Sequence, residues 1–256
     1  MKAVWSAVNL FWVLAFCLLA QATWAAGEAA VVLSVSGTVA AQGANGKIRT
    51  LAKDSTVDSG DVVTTEKSSA ARLRFSDGST VILRPGSRLV IEKYRFDEGH
   101  PDADSAVLNL VKGGLRSVSG LVGKRGNKDA YLTRTPAANI GIRGTDFALL
   151  LCEQGDATCA VAFKQEVMDA IPGRIQGEIP AGLYLAVFEG MIIAGNRAGE
   201  KLFPAVKAGY VANFDTLPIE LSDDPGMGLL FPILGNLPGL DDLLGEGQSQ
   251  GACLVR

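Results

Sequence analysis

Side chains that exchange protons, ligate metals or attack electrophiles are few in this sequence and thinly grouped. It contains one histidine, His100, so a histidine-dependent triad or a paired-histidine metal site has nowhere else to begin. His100 stands in segment 94–105 with Asp97, Glu98, Asp102 and Asp104. The spacing matches no calcium loop, and Pro101 stiffens the centre. A solvated acidic loop is therefore the reading, with a metal site the lesser alternative. Lys124, Arg125 and Lys128 stand among the glycines of segment 120–128. Glycine and lysine are wrongly spaced for a phosphate cradle, and no Ser or Thr follows the lysines. The segment reads as a hairpin tip whose three cations are candidate contacts for an anionic polymer. The remaining acids fall mostly in Asp-Gly and Gly-Asp turns, and the serines lack a nucleophile elbow or a histidine partner. No catalytic set assembles and no cofactor is implied; hydrolysis by carboxylates alone stays formally open, because sequence does not say which acids meet.

Two cysteines carry a different chemistry. Cys152 and Cys159 flank Glu-Gln-Gly-Asp-Ala-Thr between the apolar runs 147–151 and 160–163, which predicts that they face one another across a hairpin. A disulfide is the first choice. Metal binding would need more ligands than a loop offering the hard donors Glu153 and Asp156. Cys253 is left over, free or intermolecular.

The elements that must position these groups converge on segment 135–147, Thr-Pro-Ala-Ala-Asn-Ile-Gly-Ile-Arg-Gly-Thr-Asp-Phe. Pro136 cannot donate to a ladder, so it belongs at a strand start or edge, and it pushes Thr135 toward an extended conformation. Ile140 and Ile142 share one face, with Gly141 on the other, suiting close packing against a neighbouring strand. Gly144 offers a bend or bulge. Asp146 is expected to accept backbone amides and to pair with Arg143, before Phe147 opens a second, wholly apolar strand. A buried structural corner is preferred here over a ligand-contacting arginine.

Around this corner the chain reads as all-β. Asn45-Gly46, Ser59-Gly60-Asp61, Asp77-Gly78 and Pro85-Gly86 are turn signals between short apolar or alternating runs, and almost no stretch holds a helical period. Val35-Ser-Gly-Thr-Val, Val111-Lys-Gly-Gly-Leu and Phe188-Glu-Gly-Met-Ile share one pattern, an apolar strand interrupted by glycine and resumed. It predicts a repeated bend in a twisted β-sandwich or a short solenoid-like stack of antiparallel strands. Segment 164–181 is the least strand-like part, with a short helical turn expected at 165–170.

Segment 135–147 resembles the signature of the FecR domain, a periplasmic β module. The likeness runs upstream through Asp58-Ser-Gly-Asp-Val-Val-Thr-Thr, Ala71-Arg-Leu-Arg-Phe-Ser-Asp-Gly-Ser-Thr-Val-Ile-Leu, Ser87-Arg-Leu-Val-Ile and Leu108-Asn-Leu-Val-Lys-Gly-Gly-Leu-Arg-Ser-Val. Within it, Thr135, Pro136, Arg143, Gly144, Thr145, Asp146 and Phe147 form the structural motif. The resemblance implies a FecR-like β domain at 26–216, with its core at about 56–150 and an insertion at about 164–181. The family's best-known members are inner-membrane sensors that relay an occupied outer-membrane transporter to a sigma factor. They carry an anti-sigma segment before their membrane span, whereas only a few residues precede the apolar run here.

That run, 10–20, follows Lys2 and precedes Thr23-Trp24-Ala25, which predicts a signal peptide at 1–25 cleaved after Ala25. An uncleaved anchor is the alternative. Phe16 is too large for the residue before a lipoprotein cysteine at Cys17. Lys2 is the one charge in the leader, so its removal takes the net charge from −3 to −4, giving no electrostatic case for nucleic acid. No later run is long enough to span a bilayer. Segment 217–256 is a Pro/Gly-rich apolar tail, in which Leu240, Leu243 and Leu244 could share a helical turn, packing on the domain itself in preference to a partner. The resulting expectation is a periplasmic or extracellular, non-catalytic binding module for an envelope protein or a cell-wall polysaccharide. The alternative is an accessory of envelope signal transduction acting through a separate membrane partner.

Overall fold

The computed structural model describes residues 27–127, 129–154, 159, 163–169, 171–175 and 178–230. The leader, Lys128, Cys253 and the 240–244 turn lie outside the described residues.

Fifteen described strands form a single hydrogen-bonded sheet. They are β1 (Glu28–Ser36), β2 (Val39–Gln42), β3 (Ile48–Thr50), β4 (Thr56–Asp58), β5 (Val62–Thr65), β6 (Ala70–Phe75), β7 (Thr80–Leu83) and β8 (Arg88–Arg95), then β9 (Ser105–Val118), β10 (Tyr131–Arg134), β11 (Asn139–Cys152), β12 (Gly182–Asn196), β13 (Gly199–Pro204), β14 (Ala208–Val211) and β15 (Ile219–Glu220). Among the described residues helix is confined to a 3-10 turn at Pro101–Ala103 and two short pieces, α1 (Gln165–Asp169) and α2 (Met227–Leu230).

Long strands change partners halfway along, and this bends the sheet into two halves packed face to face. The first part of β9 pairs with β8 and β10, and its last part with β7 and β11. Likewise, β12 pairs with β14 near its start and with β13 near its end. One half is therefore β3-β2-β5-β8-β9-β10-β11-β12-β13, and the other is β4-β1-β6-β7-β9-β11-β12-β14-β15. Their inner faces share one core, joining Leu89, Ile91, Leu108, Ile140 and Phe203 to Leu73, Leu83, Leu115, Phe147 and Leu185. Tyr131 meets Phe147 edge-on across it, with ring centres 6.4 Å apart.

The bends fall on glycines. Gly37, Gly113, Gly144 and Gly190 have φ of 72°, 76°, 59° and 76°, a region that L side chains rarely adopt. The reason is phase: Ile142 and Phe147 both point inward although five positions separate them, and only an extra, bulged residue allows that. The three interrupted strands expected from sequence thus bend where expected. At three bends a buried serine hydroxyl accepts the next amide: Thr38 to Ser69 at 2.9 Å, Gly114 to Ser87 at 2.9 Å and Thr145 to Ser119 at 2.8 Å. Each opened ladder amide keeps a partner, as burial requires.

Four sequence expectations are corrected. Segment 139–152 is one bulged strand, not two strands around a turn. The pairing is not wholly antiparallel, because β10 runs parallel to β9 from Tyr131↔Ala106 to Arg134↔Asn109. A parallel pair cannot be closed by a hairpin, so 119–130 is a crossover and not a hairpin tip. It is packed against the body: Cβ atoms at Gly120, Gly123 and Gly126 would fall 2.4, 2.7 and 2.3 Å from Asp77 O, Ile142 Cδ1 and Pro101 O. Finally, the acidic loop is not simply solvated, since Asp104 is buried.

The outer face of the second half is covered. Ala148, Leu150, Tyr184, Ala186 and Tyr210 form a separate core with Val167, Met168 and Ile171 of the insertion and with Leu221 and Met227 beyond β15. Burial on both faces explains why run 147–151 is continuously apolar. The described part of the tail, 217–230, packs on its own domain: Leu221 donates to Ala208 O at 2.9 Å, and Lys164 N donates to Pro225 O at 2.7 Å.

Candidate functional site

The motif residues divide into those that build the corner and one that faces outward. The Thr135 hydroxyl donates to Ala138 O at 2.7 Å and accepts from the amides of Ala137 and Ala138, closing the turn from β10 to β11 with Pro136 exposed in it. The Thr145 hydroxyl donates to Met191 O at 2.7 Å and Phe147 fills the core. Asp146 pairs with Arg116 and not with Arg143: Nε and Nη2 reach its two oxygens at 2.9 and 2.7 Å, and the guanidinium lies 4.3 Å from the Phe188 ring centre. The reason is again the bulge, which turns Asp146 toward β9. Arg143 lies along the outer face, donating to Ile142 O at 2.9 Å, with Asp129 at 3.7 Å.

The expected cation cluster divides too. Arg125 is spent inside the chain: it reaches Asp104 at 3.2 Å, donates to Asp97 O at 2.8 Å and Glu98 O at 3.2 Å, and lies over Phe96. Lys124 is exposed. The acidic loop binds itself together, with His100 at 3.1 Å from Asp97, and this hydrogen bond holds the Asp97 carboxyl below its ordinary range. Among the described residues no group of three or more His, Cys, Asp or Glu is arranged to hold a metal. Cys152 and Cys159 lie at disulfide distance, with Cα atoms 5.8 Å apart.

Other buried acids are also consumed by the fold. Asp77 accepts from the Ser79 amide and hydroxyl at 3.0 and 2.6 Å, from the Tyr94 hydroxyl at 3.1 Å and from the Val122 amide at 3.1 Å. Asp61 takes Arg49 at 2.5 Å and the Asp58 amide at 2.8 Å. These carboxylates clamp turns together and leave little capacity for a substrate.

Among the described residues, what stays open is the outer face of the first half. Residues across β10 to β13 align there as Leu132↔Gly141↔Ile193↔Leu202 and Arg134↔Asn139↔Gly195↔Glu200. Over the two glycines lies a shallow groove of about 590 Å³, walled by Arg143, Arg197, Asp129 and Phe214. Asn196 fixes one end by donating to Ala137 O, Asn213 O and Thr216 O at 3.2, 3.2 and 2.7 Å. Arg197 is held by Asp215 at 2.7 Å and stands 5.8 Å from the Phe214 ring centre. Of these groups, sequence reasoning singled out only Arg143 and Gly141, and the expected close packing at Gly141 is absent: a Cβ there would meet nothing within 4 Å. Two glycines in otherwise regular strands, at 141 and 195, were the available signal.

Residues 61–167 match the model of the FecR protein family. A search of curated proteins finds no match. Among solved structures, two crystal structures of a candidate anti-sigma factor from Parabacteroides distasonis ATCC 8503 align at TM-score 0.43 with 11% and 13% identity, over 64% of this chain. The chain spans 60% of that protein's length. No described helix is long and apolar enough to cross a membrane.

Proposed function

We propose that this chain, which carries a FecR-family match over residues 61–167, is an exported, non-catalytic interaction module of the bacterial cell envelope. Its partner is held on the uncovered outer face of the sheet. The observation that carries this reading is the asymmetry of the two outer faces. One is buried beneath the insertion and the segment after β15, while the other presents a groove whose rim is polar and whose floor is bare. A paired cysteine bridge fits an oxidising compartment, and the buried acids are committed to turns instead of converging on a cleft. A second reading, an accessory of envelope signalling, is favoured by the FecR match and differs only in what the partner is.

The test is affinity capture from envelope extract by the wild-type chain and by Gly141→Trp, which fills the groove. Capture that the variant loses supports the reading. Equal capture by both, or none by either, contradicts it. A captured membrane protein would select the signalling reading.

A further inference from the structure

Gly141 and Gly195 are glycines without a structural reason. Neither has the positive φ that bends the strands at Gly113, Gly144 and Gly190. Nor is either one crowded: a Cβ at Gly141 meets nothing, and one at Gly195 would make an ordinary 3.5 Å contact with the Glu200 Cβ. Gly209, by contrast, needs its hydrogen because a Cβ would fall 2.4 Å from the Phe203 ring. Glycine inside a strand is destabilising relative to alanine, so two such positions give up stability for something other than the fold. They are diagonal neighbours, since Asn139↔Gly195 and Gly141↔Ile193 are adjacent pairs, and together they clear the groove floor.

The geometry points to this groove as a binding site for a neutral oligosaccharide, an assignment that rests on the reading of the uncovered face as a binding face. Main-chain recognition of a peptide is closed off on the groove floor. On the floor β11 is paired on both sides, with β10 and β12, and β12 with β11 and β13, so no ladder group is left for an added strand. An anionic ligand is disfavoured as well: Arg143 has Asp129, Arg197 has Asp215, and Glu200 adds a negative charge with no described partner. A wholly apolar ligand would leave the rim desolvated. A sugar ring suits what remains. Its hydroxyls both donate and accept, matching the Asn139 amide, which has no described partner, and the Glu200 carboxylate. Its C–H face covers Ile193 on the floor and Phe214 at the wall.

The experiment is binding of the wild-type chain, Gly141→Val and Asn139→Ala to an array of neutral oligosaccharides, with thermal unfolding of each protein alongside. Expected is binding by the wild type, loss of it in Gly141→Val together with an unchanged or higher melting temperature, and about tenfold weaker binding in Asn139→Ala. Absence of any neutral glycan bound by the wild type, or binding by Gly141→Val equal to wild type, overturns the assignment. If the array is blank while capture from envelope extract still depends on Gly141, the saccharide is wrong and the interaction module stands. If neither binding depends on Gly141, both fall.

Discussion

A Cβ placed on Gly190 would lie 2.2 Å from the carbonyl oxygen of Gly144, and both residues hold positive φ, 76° and 59°. Strands β11 and β12 therefore bend against one another at a crossing where Gly190 has room only for a hydrogen atom. Gly190→Ala combines a left-handed side chain with a backbone collision and is expected to destabilise by about 3 kcal/mol. Gly141→Ala, three residues before Gly144 in the same pair of strands and uncrowded, is expected to be neutral or stabilising by about 0.5 to 1 kcal/mol. Urea unfolding of the two variants checks the contrast, and similar losses in both would refute it.

All four tyrosines are held protonated by their surroundings. Burial raises the ionisation of Tyr94, Tyr131, Tyr184 and Tyr210 above the ordinary value of 10.0, with the neighbouring Tyr210 adding to the effect at Tyr184. Below about pH 10 both folded and unfolded chains keep these protons, and the stabilisation is fully present. Above it the unfolded chain releases them while the folded chain does not, so stability falls as pH rises. Tyrosinate absorbance should appear together with loss of the sheet signal in circular dichroism. Tyrosines that titrate near pH 10 in an intact fold would contradict the burial.

The Cys152–Cys159 pair closes a short loop beneath the second core, with a sequence separation of 7. Replacing both cysteines by serine is expected to cost roughly 2.5 kcal/mol, the chain entropy of so short a loop. Thiol alkylation of the native and reduced protein, read by intact mass, checks the bond itself. Full labelling of both cysteines without reductant would refute it.

Export predicts that chain recovered from the periplasmic fraction begins at Ala26. An N-terminus at Met1 in the membrane fraction would select the uncleaved anchor.

How much of this was legible in sequence depends on whether a signal is local. Asn45-Gly46, Asp77-Gly78 and Pro85-Gly86 mark turns because their backbone preferences act within a few residues; the first two join strands that pair, while the strands on either side of Pro85-Gly86 pair elsewhere. The glycine interruptions were legible for the same reason. Partner choice was not. Whether Asp146 takes Arg143, three residues away, or Arg116, thirty residues away, depends on which way a bulge turns the side chain. The crossover at 119–130 was misread because strand direction is a property of the whole sheet, and glycines that suggested a free tip were glycines of close approach. Covering of one outer face was likewise invisible: the described residues of 163–180 show little strand pattern because they form turns and one helical turn packed on the sheet.

The most direct test of the claim that the uncovered face binds is hydrogen exchange, read by mass spectrometry, on the chain free and bound to immobilised envelope extract. New protection is predicted in peptides covering 139–143, 193–201 and 213–216, with exchange over 163–175 unchanged. Protection confined to 163–175 and 219–230, or no change anywhere upon binding, would contradict it.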